Sequence, residues 1–313
     1  MQTIRRTARL AGIAALLLAT AASASTPPPP SAVDLAQQGD DPAWAIAEGL
    51  TTEIGPRQAA TEAEAAARRW AVKRLTEMGF QNVRDEPFMM PTWVRGTEEA
   101  SLTGPFQPQK LHITALGTSA STGAKGLEGD VVYFASYDTL VAAPDDLVKG
   151  KIVFIDHQMK AAQDGSGYGQ YGRARFTGAN VAAKKGAIAV VIRSIGTDSH
   201  RGPHTGGTNF ETGVKPIPAG ALSNPAAGPL GRQWKRATAG TASGPLRMKL
   251  LLTPQNLGQQ RSGNVIAEVP GSDPAASPVI IACHLDSWDL GTGAIGDAAG
   301  CGIITAAAKH VMT

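Results

Sequence analysis

Residues 283–300 read CHLDSWDLGTGAIGDAAG, and the way this stretch is taken decides the fold. It closes an apolar, β-branched run, PVIIACH over residues 278–284, which predicts a buried strand ending at His284. It opens a helix predicted over residues 297–312, DAAGCGIITAAAKHVM. Open α/β sheets place their ligand sites at the carboxyl ends of strands, and Asp286, two residues after His284, shares its side of the chain. A carboxylate there accepts one imidazole N–H and fixes the tautomer that offers the other nitrogen's lone pair to a metal.

Working outward, the same α/β texture recurs upstream. NVIAEV (264–269) predicts another strand, and Glu62 to Met78 carries apolar residues at helical spacing with a basic face, stopped by Gly79. A short helical pattern runs from Pro42 to Leu50, and a strand from Gln81 to Phe88. Between residues 111 and 252 the texture changes. Strands predicted at Val131–Phe134, Lys151–Ile155, Ala187–Ile192 and Arg247–Leu252 are separated by Gly-, Pro- and Asp-rich loops, with helices near 173–185 and 225–237. The 36 glycines and 21 prolines of the 313 residues fit many turns and short strands. The fold class expected is α/β, interrupted by a β-rich module.

The first residues carry Arg5, Arg6 and Arg9, then an apolar run from Leu10 to Ala22, then Ala-Ser-Ala at 22–24. That pattern predicts a signal peptide over 1–24, followed by a Pro-rich tether over 25–40. The formal charge of +3 includes the three leader arginines, so the remainder is close to neutral. Nothing in that balance points to nucleic acid or, once the leader is removed, to a membrane. The only cysteines, Cys283 and Cys301, are expected first as two buried thiols, one in the predicted strand and one in the following helix, with a disulfide between them as the lesser alternative for an exported protein.

The stretch HLDSWDLGTGAIGDAAG resembles the metal-binding segment of metallopeptidase family M28, the co-catalytic zinc exopeptidases that include bacterial aminopeptidases and carboxypeptidase Q. NVIAEVPGS resembles the family's approach to that segment, and GPRQAATEAEAAARRWAVKRLTEMGF its opening helix. KGKIVFID, GANVAAKKGAIAVVIRSIG and HRGPHTG are similar to a protease-associated domain carried as an insertion. The resemblance implies a zinc-exopeptidase-type α/β sandwich, with residues 41–108 and 255–313 forming parts of the peptidase domain and 109–254 the inserted module. It implies a secreted or periplasmic enzyme hydrolysing terminal peptide bonds of a peptide or dipeptide, with a homodimer left open.

The resemblance also implies two zinc ions, about 3.5–4 Å apart, sharing a water. His284 would bind one ion and Asp286 would orient it. The bridging aspartate of the family falls four residues before Gly300, where this chain has Gly296. Asp297 is the neighbouring carboxylate. A helical neighbour is rotated by about 100°, so it is read first as a helix-starting residue and second as a low-ranked substitute ligand. Asp289 ranks behind it, against a role in a turn. The family's general base and remaining ligands follow this helix, so the chain is expected to be C-terminally incomplete and inactive as it stands. The adjacent Glu98 and Glu99 are expected to be solvated in a polar turn. The alternative is a truncated, non-catalytic relative whose protease-associated module binds a partner.

Other signals resolve to plain readings. Gly167-Tyr-Gly-Gln-Tyr-Gly172 matches a dinucleotide fingerprint only formally and is expected to be a flexible loop. Gly202-Pro203 breaks any helix that would bring His200 and His204 onto one face, leaving a surface loop; the resemblance implies that His204 leans over the cleft to touch substrate. No Gly-x-Ser-x-Gly elbow or phosphate loop is present in the sequence.

Overall fold

The computed structural model describes residues 42–240, 242–273 and 275–312, so the expected leader (1–24) and tether (25–40) lie outside the described residues. Helix α1 (Pro42–Gly49) runs into a π-helical turn at Leu50–Ile54 and is followed by α2 (Glu62–Glu77). Thr61 caps α2 by accepting the Glu64 N–H, and Gly79, at φ +87°, ends it in the left-handed conformation that glycine adopts without strain. Strand β1 (Gln81–Val94) pairs antiparallel with β10 (Gln255–Glu268) to form a long two-stranded ribbon. Arg68 fastens α2 to that ribbon, reaching Glu64 at 2.8 Å and Asp85 at 2.7 Å.

Between the two ribbon strands the chain builds an eight-stranded sheet. Its strands are β2 (Glu98–Gly104), β3 (Gln109–Leu111), β4 (Ile113–Ala115), β5 (Leu127–Phe134), β6 (Ile152–Ile155), β7 (Ala189–Arg193), β8 (Ala219–Leu222) and β9 (Arg247–Leu252). They lie in the order β3-β2-β9-β5-β6-β7-β8-β4, with β5 to β8 parallel and the flanking pairs antiparallel. Central β6 is a continuous apolar run because both its faces are covered. Ile152 and Phe154 enter one core cluster, and Val153 and Ile155 enter the other on the opposite face. Helices α3 (Tyr137–Ala142), α4 (Asp145–Val148), α5 (Tyr168–Phe176), α6 (Gly178–Lys184) and α7 (Asn224–Thr238) connect the strands. Residues 168–172 of the formal fingerprint lie in α5 instead of a flexible loop, and Thr177 divides the single helix expected at 173–185.

A third, smaller core gathers Ile46, Leu50, Ala67, Ala298 and Cys301. It joins α1 and α2 to a π-helical turn at Ala294–Ala298 and to helix α8 (Ala299–Val311). Lys309 donates to the Met78 carbonyl at 2.7 Å, tying the last helix to the end of α2. Gly302 is required there, since a Cβ would lie 2.3 Å from the Ala43 carbonyl oxygen.

Two expectations are overturned in this region. Residues 278–284 form no strand; the chain is extended, with Val279 91% and Ile280 84% exposed. A strand persists only where neighbours take up its N–H and C=O groups, and no described strand lies alongside this run. The two cysteines are not buried thiols. Without a sheet to hold it away, Cys283 lies across the start of α8 and is disulfide-bonded to Cys301, with Cα atoms 5.2 Å apart.

Candidate functional site

His284 leaves the extended segment with its side chain 61% exposed, between two carboxylates. Its Nδ1 lies 3.2 Å from Asp286 Oδ1 and 3.1 Å from the Asp286 carbonyl oxygen. Its Nε2 lies 3.5 Å from Asp297 Oδ1. The geometry thus brings together His284, Asp286 and Asp297. The turn that carries Asp297 is π-helical. Gly293, in the left-handed conformation, starts that turn and makes the room. A Cβ at 293 would stand 2.2 Å from Asp297 Oδ2 and 2.5 Å from the Ser287 Cβ. Gly296 brings no side chain, but its surroundings are open, with nothing within 4 Å of a Cβ built there.

The loop between His284 and Asp297 is held from beneath by Arg57, which is fully buried. Its Nε donates to the Leu285 carbonyl at 2.6 Å, its Nη1 to those of Thr292 at 2.6 Å and Gly55 at 2.9 Å, and its Nη2 to that of Gly293 at 3.3 Å. The Arg57 backbone also exchanges hydrogen bonds with Ser287: Arg57 N–H to the Ser287 hydroxyl, and Ser287 N–H to the Arg57 carbonyl. Burial pushes the guanidinium pKa down, while the charges of Asp297 and Asp286 oppose that shift.

A second arginine fastens the other side of the loop. Arg95 bridges Asp289 through both Nε (2.6 Å) and Nη2 (3.0 Å), and meets Glu98 at 2.7 Å and Thr205 at 3.0 Å. Burial works against its charge, but the hydrogen bonds it donates to Asp289 and Glu98 prevail and hold its pKa above the ordinary arginine value. Glu98 is therefore not solvated in a turn. It lies in β2, half-buried, and also accepts the Ala115 N–H, because Arg95 needs a counter-charge. Asp289 has the same structural partner and does not face His284. Sequence reasoning missed both arginines because their partners lie up to 236 residues away; only the Gly-Pro-Arg at 55–57 marked a special backbone position.

Above the loop opens a cleft of about 480 Å³, whose lining includes Met159, Tyr168, Ile195, His204, Trp288 and Asp297. Trp288 packs over Gly117, where a Cβ would stand 3.1 Å from the indole, so the sheet module and the 283–300 segment share this cleft. The His204 side chain faces it, with Nδ1 2.7 Å from the Ile195 carbonyl and its backbone N–H donated to Ser194. His200 lines the cleft too, 3.4 Å from Asp198, but does not join His284. A larger hollow of about 630 Å³ between Ser121 and Lys215 has no His, Cys, Asp or Glu in its lining, so the smaller cleft is where chemistry concentrates.

As a zinc site the donor set falls short. Zinc is held by three or four protein ligands, and here one imidazole nitrogen and one carboxylate face each other. Among the described residues no group of three or more His, Cys, Asp or Glu side chains is arranged to hold a metal ion. The residues present therefore do not fit a zinc pair by themselves. No described helix is long and apolar enough to cross a membrane.

The comparisons with known proteins agree with the motif. Residues 264–313 match the model of peptidase family M28. Carboxypeptidase Q of Bos taurus is 32% identical over 251 residues, covering 80% of this chain and 50% of that protein; the Homo sapiens protein is 31% identical with the same coverage. The chain thus spans about half the length of the curated relatives it matches. The crystal structure of a peptidase M28 precursor from Shewanella amazonensis is 45% identical, with a TM-score of 0.82, covering 90% of this chain and 62% of that one. A zinc aminopeptidase from Bacillus subtilis, 19% identical with a TM-score of 0.60 over 87% of this chain and 57% of its own, shares the fold. With its motif residues gathered in one place and these relatives beside it, the chain belongs to peptidase family M28.

Proposed function

We propose that the chain is part of a secreted or periplasmic zinc-dependent exopeptidase acting on the terminal bond of a peptide or dipeptide. The observation that carries this reading is the His284 imidazole, oriented by Asp286 on one nitrogen and facing Asp297 with the other, beside the cleft. Residues 109–254 are the inserted protease-associated module in this reading, and their placement of His204 over the cleft supports a role in holding substrate. His284 supplies one zinc ligand, and Asp297 replaces the carboxylate that Gly296 lacks. Two donors bind zinc weakly, so these residues alone are not expected to hydrolyse peptides.

Gly296 favours a second reading, a non-catalytic relative whose protease-associated module serves as a binding domain. Zinc content after dialysis, read beside hydrolysis of a dipeptide with and without chelator, separates the two. Zinc retained by the 313-residue chain and lost in His284→Ala supports the peptidase reading. No zinc affinity in either protein supports the binding module.

A further inference from the structure

We propose that Arg57 is the positioning residue of the candidate site, a buried guanidinium that holds His284 and Asp297 face to face by bridging the two limbs of the loop between them. The loop has a limb on each side of its tip at Trp288. One limb offers the Leu285 carbonyl, directly after His284; the other offers those of Thr292 and Gly293, immediately before the turn that carries Asp297. A planar fork of five donors reaches both limbs from one side chain, which an ammonium cannot do.

Four features single out this arrangement. Arg57 is fully buried, yet its hydrogen-bond acceptors are backbone carbonyls and none is a carboxylate. A buried charge spent on backbone groups is costly unless those groups must be fixed. The hydrogen bonds of Arg57 and Ser287 to each other lock the limb next to His284 at backbone level as well. The Cys283–Cys301 disulfide closes the loop only at its base, leaving the limbs free to part without an internal brace. The carboxylates whose charge acts on the guanidinium are Asp297 and Asp286, both members of the candidate site. Arg57 touches neither His284 nor Asp297, so it acts through the loop backbone. The proposal rests on the metallopeptidase reading for what the pair is positioned to do, but the bracing itself is independent of metal.

The test is amide hydrogen exchange on the full, oxidised, metal-free chain, comparing wild type, Arg57→Gln and Arg57→Lys. We expect amides of residues 285–293 to exchange at least about tenfold faster in Arg57→Gln, with β6 and β7 unchanged, and to show an intermediate increase in Arg57→Lys. Unchanged exchange in the loop overturns the proposal. So does an equal increase in β6 and β7, which would make Arg57 a general stabiliser of the fold. Should Arg57→Gln fail to fold, Arg57→Lys alone is read by the same criteria. Zinc binding by the wild-type chain is measured separately: its absence counts against the metallopeptidase reading, whereas a loop that stays closed without Arg57 counts against the brace.

Discussion

Asp297 Oδ1 stands 3.5 Å from His284 Nε2, although the two residues are thirteen positions apart in the chain. A π-helical turn and one glycine in the left-handed conformation make that approach and give His284 an acidic neighbour.

If that pair is the metal-facing part of the site, its environment sets zinc affinity. Asp286→Asn replaces the carboxylate beside the imidazole Nδ1 and is expected to weaken zinc binding by about 10–100-fold. Gly296→Asp adds a donor where nothing obstructs a side chain, and is expected to strengthen binding. Isothermal titration with zinc checks both directions.

The disulfide closes a loop of 18 residues that contains His284, Asp286 and Asp297. Replacing both cysteines by serine is expected to cost about 3 kcal/mol of stability, since the cross-link limits the unfolded chain. Urea unfolding of the oxidised protein and the double variant measures this.

The Arg95 side chain is 8% exposed and holds Asp289 and Glu98 together with the Thr205 hydroxyl. Arg95→Met leaves two half-buried carboxylates without their partner and is expected to destabilise by about 3 kcal/mol. Asp289→Asn/Arg95→Met should cost less than the sum of the single changes, and a double-mutant cycle reads that coupling.

His157 packs against Tyr171 at 4.4 Å, with its Nδ1 buried and unpartnered. Burial pushes its pKa below the ordinary 6.5, and Asp138 only partly counters it. The unfolded chain therefore binds the proton first. The stability tied to the neutral ring is complete above pH 6.5 and is lost as the pH falls below that value toward the folded pKa. His157→Phe should flatten the stability profile in that window, as thermal unfolding across pH would record.

Much of the scaffold was legible because periodicity states it directly. Helix α2 follows its apolar spacing to within a residue, and β9 begins and ends at Arg247 and Leu252 as expected, since alternation and turn residues fix both limits. His284 and Asp286 were legible as a pair because two residues along an extended chain share a side. The strand at 278–284 was misread because β-branched composition reports preference, and a strand also needs a neighbour. Arg57 and Arg95 were out of reach for one reason: each depends on which distant segments meet.

The most direct test of the account is an anomalous difference map, recorded at the zinc edge, of crystals grown with zinc. A single peak within coordination distance of His284 Nε2 and Asp297, absent in His284→Ala, is the result predicted. A peak remote from His284, or zinc density unaffected by that substitution, would contradict it.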